Sequence, residues 1–214
     1  MSGHSAPLDA GELAATLNRH AVDYVVIGGV ALQAHGHVRT TQDLDIVAAW
    51  TPENVQRLAG VLRELGAELR GVDADLLGID LGSPEDLYQG GNFLMHTRHG
   101  DLDVFAVDQT QGAPQSYEDL RARAIPVEVR GITLLIAHPE HLIRMKTAAS
   151  AFRDRPEAKR RQDLDDIAVL NRVLERDPGQ SRRGSGPAAR LDQSPTTRRA
   201  TSRYPGREGP TLGR

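Results

Sequence analysis

The 214-residue chain contains no cysteine, which excludes disulfides, thiolate metal ligands and a cysteine nucleophile and is compatible with a reducing compartment. Aromatic residues make up only 4% of it, so its core must be packed from Leu, Val, Ile and Ala, which a hydrophobic content of 39% allows. No apolar run approaches the roughly 20 residues that span a bilayer. The N-terminal MSGHSAPLDAGELAATL lacks the basic-then-apolar layout of a secretion signal. Together these absences lead us to expect a soluble, cytoplasmic protein with no membrane partner. Lysine is scarce too: of 26 basic residues only Lys146 and Lys159 are lysines, which makes each conspicuous.

The net charge of −3 conceals an asymmetry. Residues 177–214 hold eight arginines against three acidic residues, which leaves 18 basic and 26 acidic residues, about −8, for residues 1–176. An acidic body is not the footprint of a dedicated nucleic-acid-binding domain; it suits an enzyme whose carboxylates are offset by bound metal. From residue 178 onward there are five prolines, six glycines and almost no apolar residues, too little burial to offset the entropy of ordering. The expected organisation is therefore one domain over 1–176 and a disordered basic tail over 177–214, the tail being either an unselected extension or an arm that helps hold RNA.

Within the domain, Leu8, Leu13, Leu17 and Ala21 recur at helical spacing after a capping Asp9, predicting a first helix. Tyr24–Ile27 is a short apolar run ended by glycines, a strand. Val30–His35 reads as a short helix stopped by Gly36, 37–42 as a loop, and Asp43–Ala49 as a second strand. Thr51-Pro52-Glu53 opens a clear helix through Leu65, stopped by Gly66. AELRG and LLGIDLG read as short strands, SPEDLYQGG as turn and loop. Two hairpins follow, Asn92–His96 with Asp101–Val107 and Ile125–Val129 with Ile132–Ala137, separated by a helix over Tyr117–Ala124. A helical pair, Pro139–Phe152 and Pro156–Glu175, closes the domain, with Leu164, Ile167, Ala168, Leu170, Val173 and Leu174 as the buried face of the second.

The chemistry concentrates in Tyr24–Val47, YVVIGGVALQAHGHVRTTQDLDIV. Asp43 and Asp45, two apart on a strand, share one face while Leu44 and Ile46 point into the core. Gly28 and Gly29 permit close backbone approach before a helix start, whose amides and dipole suit phosphates. Two strand carboxylates with a third from a neighbouring strand meet the preference of Mg²⁺ for few oxygen ligands alongside substrate phosphates. His35 and His37 flank Gly36 with no third ligand at zinc-like spacing and read as loop histidines. Taken alone, Asp-x-Asp is as compatible with solvated strand-edge charge as with metal, Lys146 with a surface helix position, Asp163 and Asp166 with pairing to nearby arginines.

The order Gly-Gly, then 13 residues, then Asp-Leu-Asp resembles the signature of the nucleotidyltransferase superfamily that includes polymerase-β-like enzymes. IGGVALQAHGHVRTTQDLDI together with HLIRMKTAASAFRDRPEAKRRQDLDDIAVL is similar to its AbiEii/MenT-like branch of toxin-type enzymes, over about residues 20–172; the chain departs from some members of that branch, which carry serine where Gly29 stands. The resemblance implies an α/β fold: a nucleotidyltransferase-type mixed β-sheet flanked by helices, with the C-terminal helical pair and the tail. It implies metal ligands Asp43, Asp45 and a third carboxylate between apolar residues on a later strand, for which Asp103 in GDLDVF is the best match, Asp101 the reserve and Asp80 a weaker candidate; it also implies a catalytic set completed by Lys146 and Asp163, and phosphate contacts from Gly28, Gly29 and Arg39. The implied activity is Mg²⁺-dependent transfer of NMP from NTP, releasing pyrophosphate, onto an RNA end (a tRNA 3′ end first) or a protein hydroxyl, by the toxin of a toxin–antitoxin pair whose antitoxin is a partner. GGxAL…GxVRTTxDLDI also resembles aminoglycoside adenylyltransferases, for which Asp73, Asp75, Glu85 and Asp86 would supply an acidic groove for a cationic sugar. A non-catalytic NTP-binding regulator is the third alternative.

Overall fold

The computed structural model describes residues 6–71, 78–89, 91–106 and 115–176; the expected tail over 177–214, and Asp73 and Asp75, lie outside them. In chain order the elements are α1 (Ala10–Arg19), β1 (Tyr24–Val26), α2 (Gly28–Ala34), β2 (Asp43–Ala48), α3 (Pro52–Leu65), β3 (Glu68–Leu69), α4 (Pro84–Gln89), β4 (Asn92–Thr97), β5 (Gly100–Phe105), α5 (Tyr117–Ala122), β6 (Ile125–Val129), β7 (Ile132–Ile136), α6 (Pro139–Ala151) and α7 (Glu157–Arg176).

The strands form one mixed sheet in the order β3-β4-β5-β2-β1-β7-β6. β1 runs antiparallel to β2 and parallel to β7, and β2 runs parallel to β5. The outer pairs are the antiparallel hairpins β4–β5 and β6–β7, with β3 antiparallel to β4 at the edge. This is the mixed, helix-flanked sheet that the sequence implies. Its central strands are nearly all buried, and Val25, Val26, Leu44, Ile46, Leu102, Val104 and Ile136 form a continuous apolar layer with Leu13 and Leu17 of α1 and Leu58, Leu62 and Leu65 of α3. Among the described residues no helix is long and apolar enough to cross a membrane.

Local chemistry explains most boundaries. Asp9 accepts the Glu12 amide and so starts α1. Thr51 accepts the Asn54 amide (3.3 Å) ahead of Pro52, and Gly66, at φ +61°, ends α3 in the left-handed conformation that glycine adopts without a Cβ clash. Three elements differ from the sequence reading. α2 begins at Gly28 rather than Val30. SPEDLYQ is helical: Ser83-Pro84-Glu85 repeats the start of α3, and Ser83 Oγ accepts the Asp86 amide (3.2 Å). The described part of LLGIDLG is a turn, not a strand. In α7 the buried residues are Asp163, Asp166 and Leu170, whereas Leu164 is 54% exposed. The helix is therefore rotated from its apparent apolar stripe, and two aspartates occupy the face turned inward.

Candidate active site

The parallel pairing of β2 with β5 sets Asp43 beside Asp101 and Asp45 beside Asp103. Residues directly opposite on neighbouring strands share a face of the sheet, so four carboxylates gather on one side of its centre. Asp43, Asp45 and Asp103 each offer an oxygen within 4.8 Å of the others, the one group among the described residues close enough to share an ion. Thr41 Oγ1 donates to Asp43 Oδ1 (2.9 Å) and fixes its rotamer. The Asp45 carboxyl is pushed up to about 7, by burial first and then by the charges of Asp43 and Asp103; the Gly29 amide and the field of Lys146 oppose the shift. Asp103 is likewise raised to about 6 by burial, with Arg70 opposing and Asp43 adding to it. An all-oxygen donor set whose charges repel one another, and in which Asp45 is met by a backbone amide rather than a paired cation, fits a divalent ion such as Mg²⁺.

Gly28 is shaped around this cluster. It has φ +62°, and a Cβ on it would overlap Asp45 Oδ2 and lie 2.5 Å from Cγ and 2.8 Å from Cβ of the same side chain. A Cβ on Gly29 would overlap Thr41 Oγ1 and lie 2.7 Å from Thr41 Cβ. Gly28 thus makes room for the Asp45 carboxylate and Gly29 for Thr41, and the Gly29 amide is bonded to the Asp45 carboxylate. A serine at position 29 would require Thr41 to move.

A second layer is built around Asp163 and Asp166 of α7, which gather cations from α6, the α6–α7 connection and the α2–β2 loop. Lys146 Nζ lies 3.1 Å from Asp163 Oδ1 and 2.8 Å from Asp166 Oδ2. Asp163 also accepts from Arg155 Nη2 (2.7 Å). Asp166 also accepts from Arg39 Nη1 (2.8 Å) and lies 3.1 Å from His37 Nε2. Both aspartates are 1% exposed, and buried carboxylates persist charged only when paired in this way. The loop carrying Arg39 is fixed further by Gln33 Nε2, which donates to the Arg39 carbonyl (2.6 Å). The structure thus brings Gly28, Gly29, Asp43, Asp45 and Asp103 together and joins Arg39, Lys146 and Asp163 through Asp166, with Lys146 near enough for its charge to act on Asp45.

Two residues of the site escaped the sequence reading. Asp166 joins Arg39 to Lys146; its signal is the i,i+3 spacing from Asp163, which puts both on one helix face, although their partners come from distant segments rather than from neighbouring arginines. Arg70 donates from Nη1 to Asp101 Oδ2 (2.8 Å) and from Nη2 to Asp103 Oδ1. Asp101, the reserve candidate, also accepts from His96 Nδ1 (2.8 Å) and stands outside the metal-capable group. Asp80, the weaker one, accepts the Gly82 amide (2.7 Å) in the turn before α4. His35 is bonded to the Ala137 carbonyl (2.9 Å), and His37 to Asp166.

No protein-family model and no curated protein matches the sequence. Solved structures do match. An antigenic nucleotidyltransferase-like protein from Paracoccidioides brasiliensis aligns over 82% of this chain and 93% of its own at 20% identity, with a TM-score of 0.48. ANT(2'')-Ia in complex with adenylyl-2''-tobramycin aligns over 81% and 95% at 15% identity, with a TM-score of 0.45. The lincosamide antibiotic adenylyltransferase LnuA, lincomycin-bound, aligns over 78% of this chain and 99% of its own at 14% identity, with a TM-score of 0.50. What this chain shares with LnuA is the fold, and that fold is the nucleotidyltransferase fold.

Proposed function

We propose that the chain is a metal-dependent nucleotidyltransferase that moves NMP from NTP to an acceptor hydroxyl. The observation that carries this reading is the convergence of Asp43, Asp45 and Asp103 within 4.8 Å, against a glycine with no room for a Cβ. These three carboxylates would hold Mg²⁺, which when bound supplies charge neutralisation at the triphosphate. Lys146 and Arg39 each spend part of their donor set on Asp166. A lysine has three N–H donors and an arginine five, so both retain donors to grip phosphate oxygens in fixed orientation. Asp103, its carboxyl raised to about 6, would either hold a second ion or, in its ionised form, accept the proton of the acceptor hydroxyl as its oxygen bonds to the α-phosphorus and the bond to pyrophosphate breaks.

The toxin-type sequence resemblance supports an RNA acceptor, a tRNA 3′ end first, or a protein hydroxyl, and an antitoxin as partner. Radiolabelled NTPs incubated with the purified chain, total tRNA and cell protein should label a macromolecule, and Asp45→Ala should abolish the label and any growth arrest on expression. No label and equal growth for both proteins would sink the toxin reading. The fold shared with LnuA supports a second reading, adenylylation of a small antibiotic; pyrophosphate release that depends on an aminoglycoside or lincosamide, and not on RNA, would select it. NTP binding without turnover on either acceptor would mark a non-catalytic regulator, against which the complete acidic triad argues.

A further inference from the structure

Arg70 lies just beyond β3, the edge strand, and its amide donates to the Leu94 carbonyl on β4 (2.8 Å). The β3–β4 register places it opposite Leu94, which is itself opposite Asp103, which is beside Asp45. Arg70, Leu94, Asp103 and Asp45 therefore form one row across four strands. At about 4.8 Å per strand the guanidinium must cross roughly 10 Å to reach β5. It does so over Leu94 and forks onto Asp101 and Asp103 with its two terminal nitrogens. Its Nε is buried and has no acceptor among the described residues. Among the described residues no cation is paired in this way with Asp43 or Asp45, on the other side of Asp103.

The geometry points to Arg70 as a built-in counter-ion that holds Asp103 in the metal-free protein and competes with the divalent cation for it. This rests on the reading of Asp43, Asp45 and Asp103 as the metal site. One consequence is stepwise assembly. A cation arriving alone meets Asp43 and Asp45 without a paired cation but Asp103 already engaged by Arg70, so it binds weakly. Asp103 joins when Arg70 is given another anion, which the phosphates of a nucleotide supply. Arg70 is then a positioning residue that couples metal loading to nucleotide arrival.

Binding of Mn²⁺ alone, followed by the electron-spin resonance of the free ion, tests this without turnover. Arg70→Gln removes one positive charge beside a doubly charged ion and frees Asp103, so its Mn²⁺ affinity should rise about tenfold over wild type, the effect of a unit charge several ångströms away in a wet site. Arg70→Lys keeps the charge but cannot fork onto both carboxylates, and its affinity should rise by a smaller factor, about threefold on the same reasoning. Circular dichroism checks that each variant is folded, and the lysine variant alone decides the matter if the glutamine variant is not. Unchanged or weaker binding in the folded variants overturns the inference, because Arg70 would then be scaffolding Asp103 for the metal. Asp45→Asn separates the two levels: if it binds Mn²⁺ as wild type does, the metal site itself is misassigned and the inference falls with it.

Discussion

Replacing Asp45 by asparagine is expected to stabilise the metal-free protein at neutral pH. The Asp45 carboxyl titrates near 7 in the fold, against 3.8 for an ordinary aspartate. A carboxyl raised on folding contributes stability in full below its unfolded value, and that contribution is lost as pH rises through the folded one. The window is therefore about pH 4 to 7, and the stability falls upward through it. A shift of about three units corresponds to roughly 4 kcal/mol as a ceiling; water reaching the partly exposed Asp43 and Asp45 raises the effective dielectric and brings the expected loss to about 2 kcal/mol. Asparagine keeps an oxygen for the Gly29 amide and carries no charge, so the Asp45 share of the decline should be absent from the variant, leaving the smaller one of Asp103, raised to about 6. Urea unfolding in a chelator at about pH 5 and pH 8 measures the difference. Saturating Mg²⁺ should return about 2–3 kcal/mol to wild type at the higher pH by mass action and almost none to the variant. Parallel pH profiles for the two proteins, or equal stabilisation of both by Mg²⁺, would refute the electrostatic reading of the cluster.

Gly28→Ala is expected to cost about 2–4 kcal/mol in the same unfolding assay, from a left-handed alanine plus overlap with Asp45, and to abolish Mn²⁺ binding; a loss under half a kcal/mol would mean that Asp45 does not lie against Gly28. Asp166→Asn should cost about 3 kcal/mol, since Arg39, Lys146 and His37 lose a shared buried anion, and should weaken NTP binding measured by calorimetry; native affinity would remove Asp166 from the site. His138 accepts the Glu140 amide at the start of α6 (3.3 Å) and is 3% exposed. Burial first, then Arg123, holds its imidazole down at about 4. Its contribution is complete above about pH 6.5 and is lost as pH falls toward 4, up to about 3 kcal/mol. His138→Asn, which can still cap the helix, should unfold less readily than wild type in acid once the two are matched at neutral pH, and an unchanged acid profile would overturn this.

The sequence was most readable where one short-range rule sufficed. The end of β1 ahead of the glycines, the alternation from Asp43 to Ile46, the cap and stop of α3 and the two hairpins each follow from residues within a few positions of one another. Ser83-Pro84-Glu85 carried the same start signal as α3, but only six helical residues follow, too short a stretch for periodicity to speak. The face of α7 was misread for a different reason. Apolar spacing assumes that charged residues turn outward, and Asp163 and Asp166 turn inward because Lys146, Arg155, Arg39 and His37 meet them there. Those partners lie 8 to 129 residues away in the chain, so no local window contains them. Arg70 is hidden similarly: its role depends on the register of three strands and on a side chain long enough to cross one of them.

The site divides into an anionic half held by the sheet and a cationic half held by helices, and the two halves should respond oppositely to neutralisation. Asp43 and Asp45 stand at mid-sheet, and like charges of Asp43 and Asp103 help to raise Asp45; removing a charge there relieves repulsion, so function should be lost while stability rises. Asp163 and Asp166 are buried beneath cations, where removing a charge leaves its partners unpaired, so function and stability should fall together. Arg70 spans the divide as a cation seated on the anionic half. Its removal should loosen Asp103 but also leave Asp101 and Asp103 to repel each other, making Arg70→Gln less stable than wild type without metal and closer to it with metal bound. A variant that loses stability without metal and recovers it on Mn²⁺ addition is what a counter-ion for the metal requires; a purely structural arginine would leave a deficit that the ion does not repair.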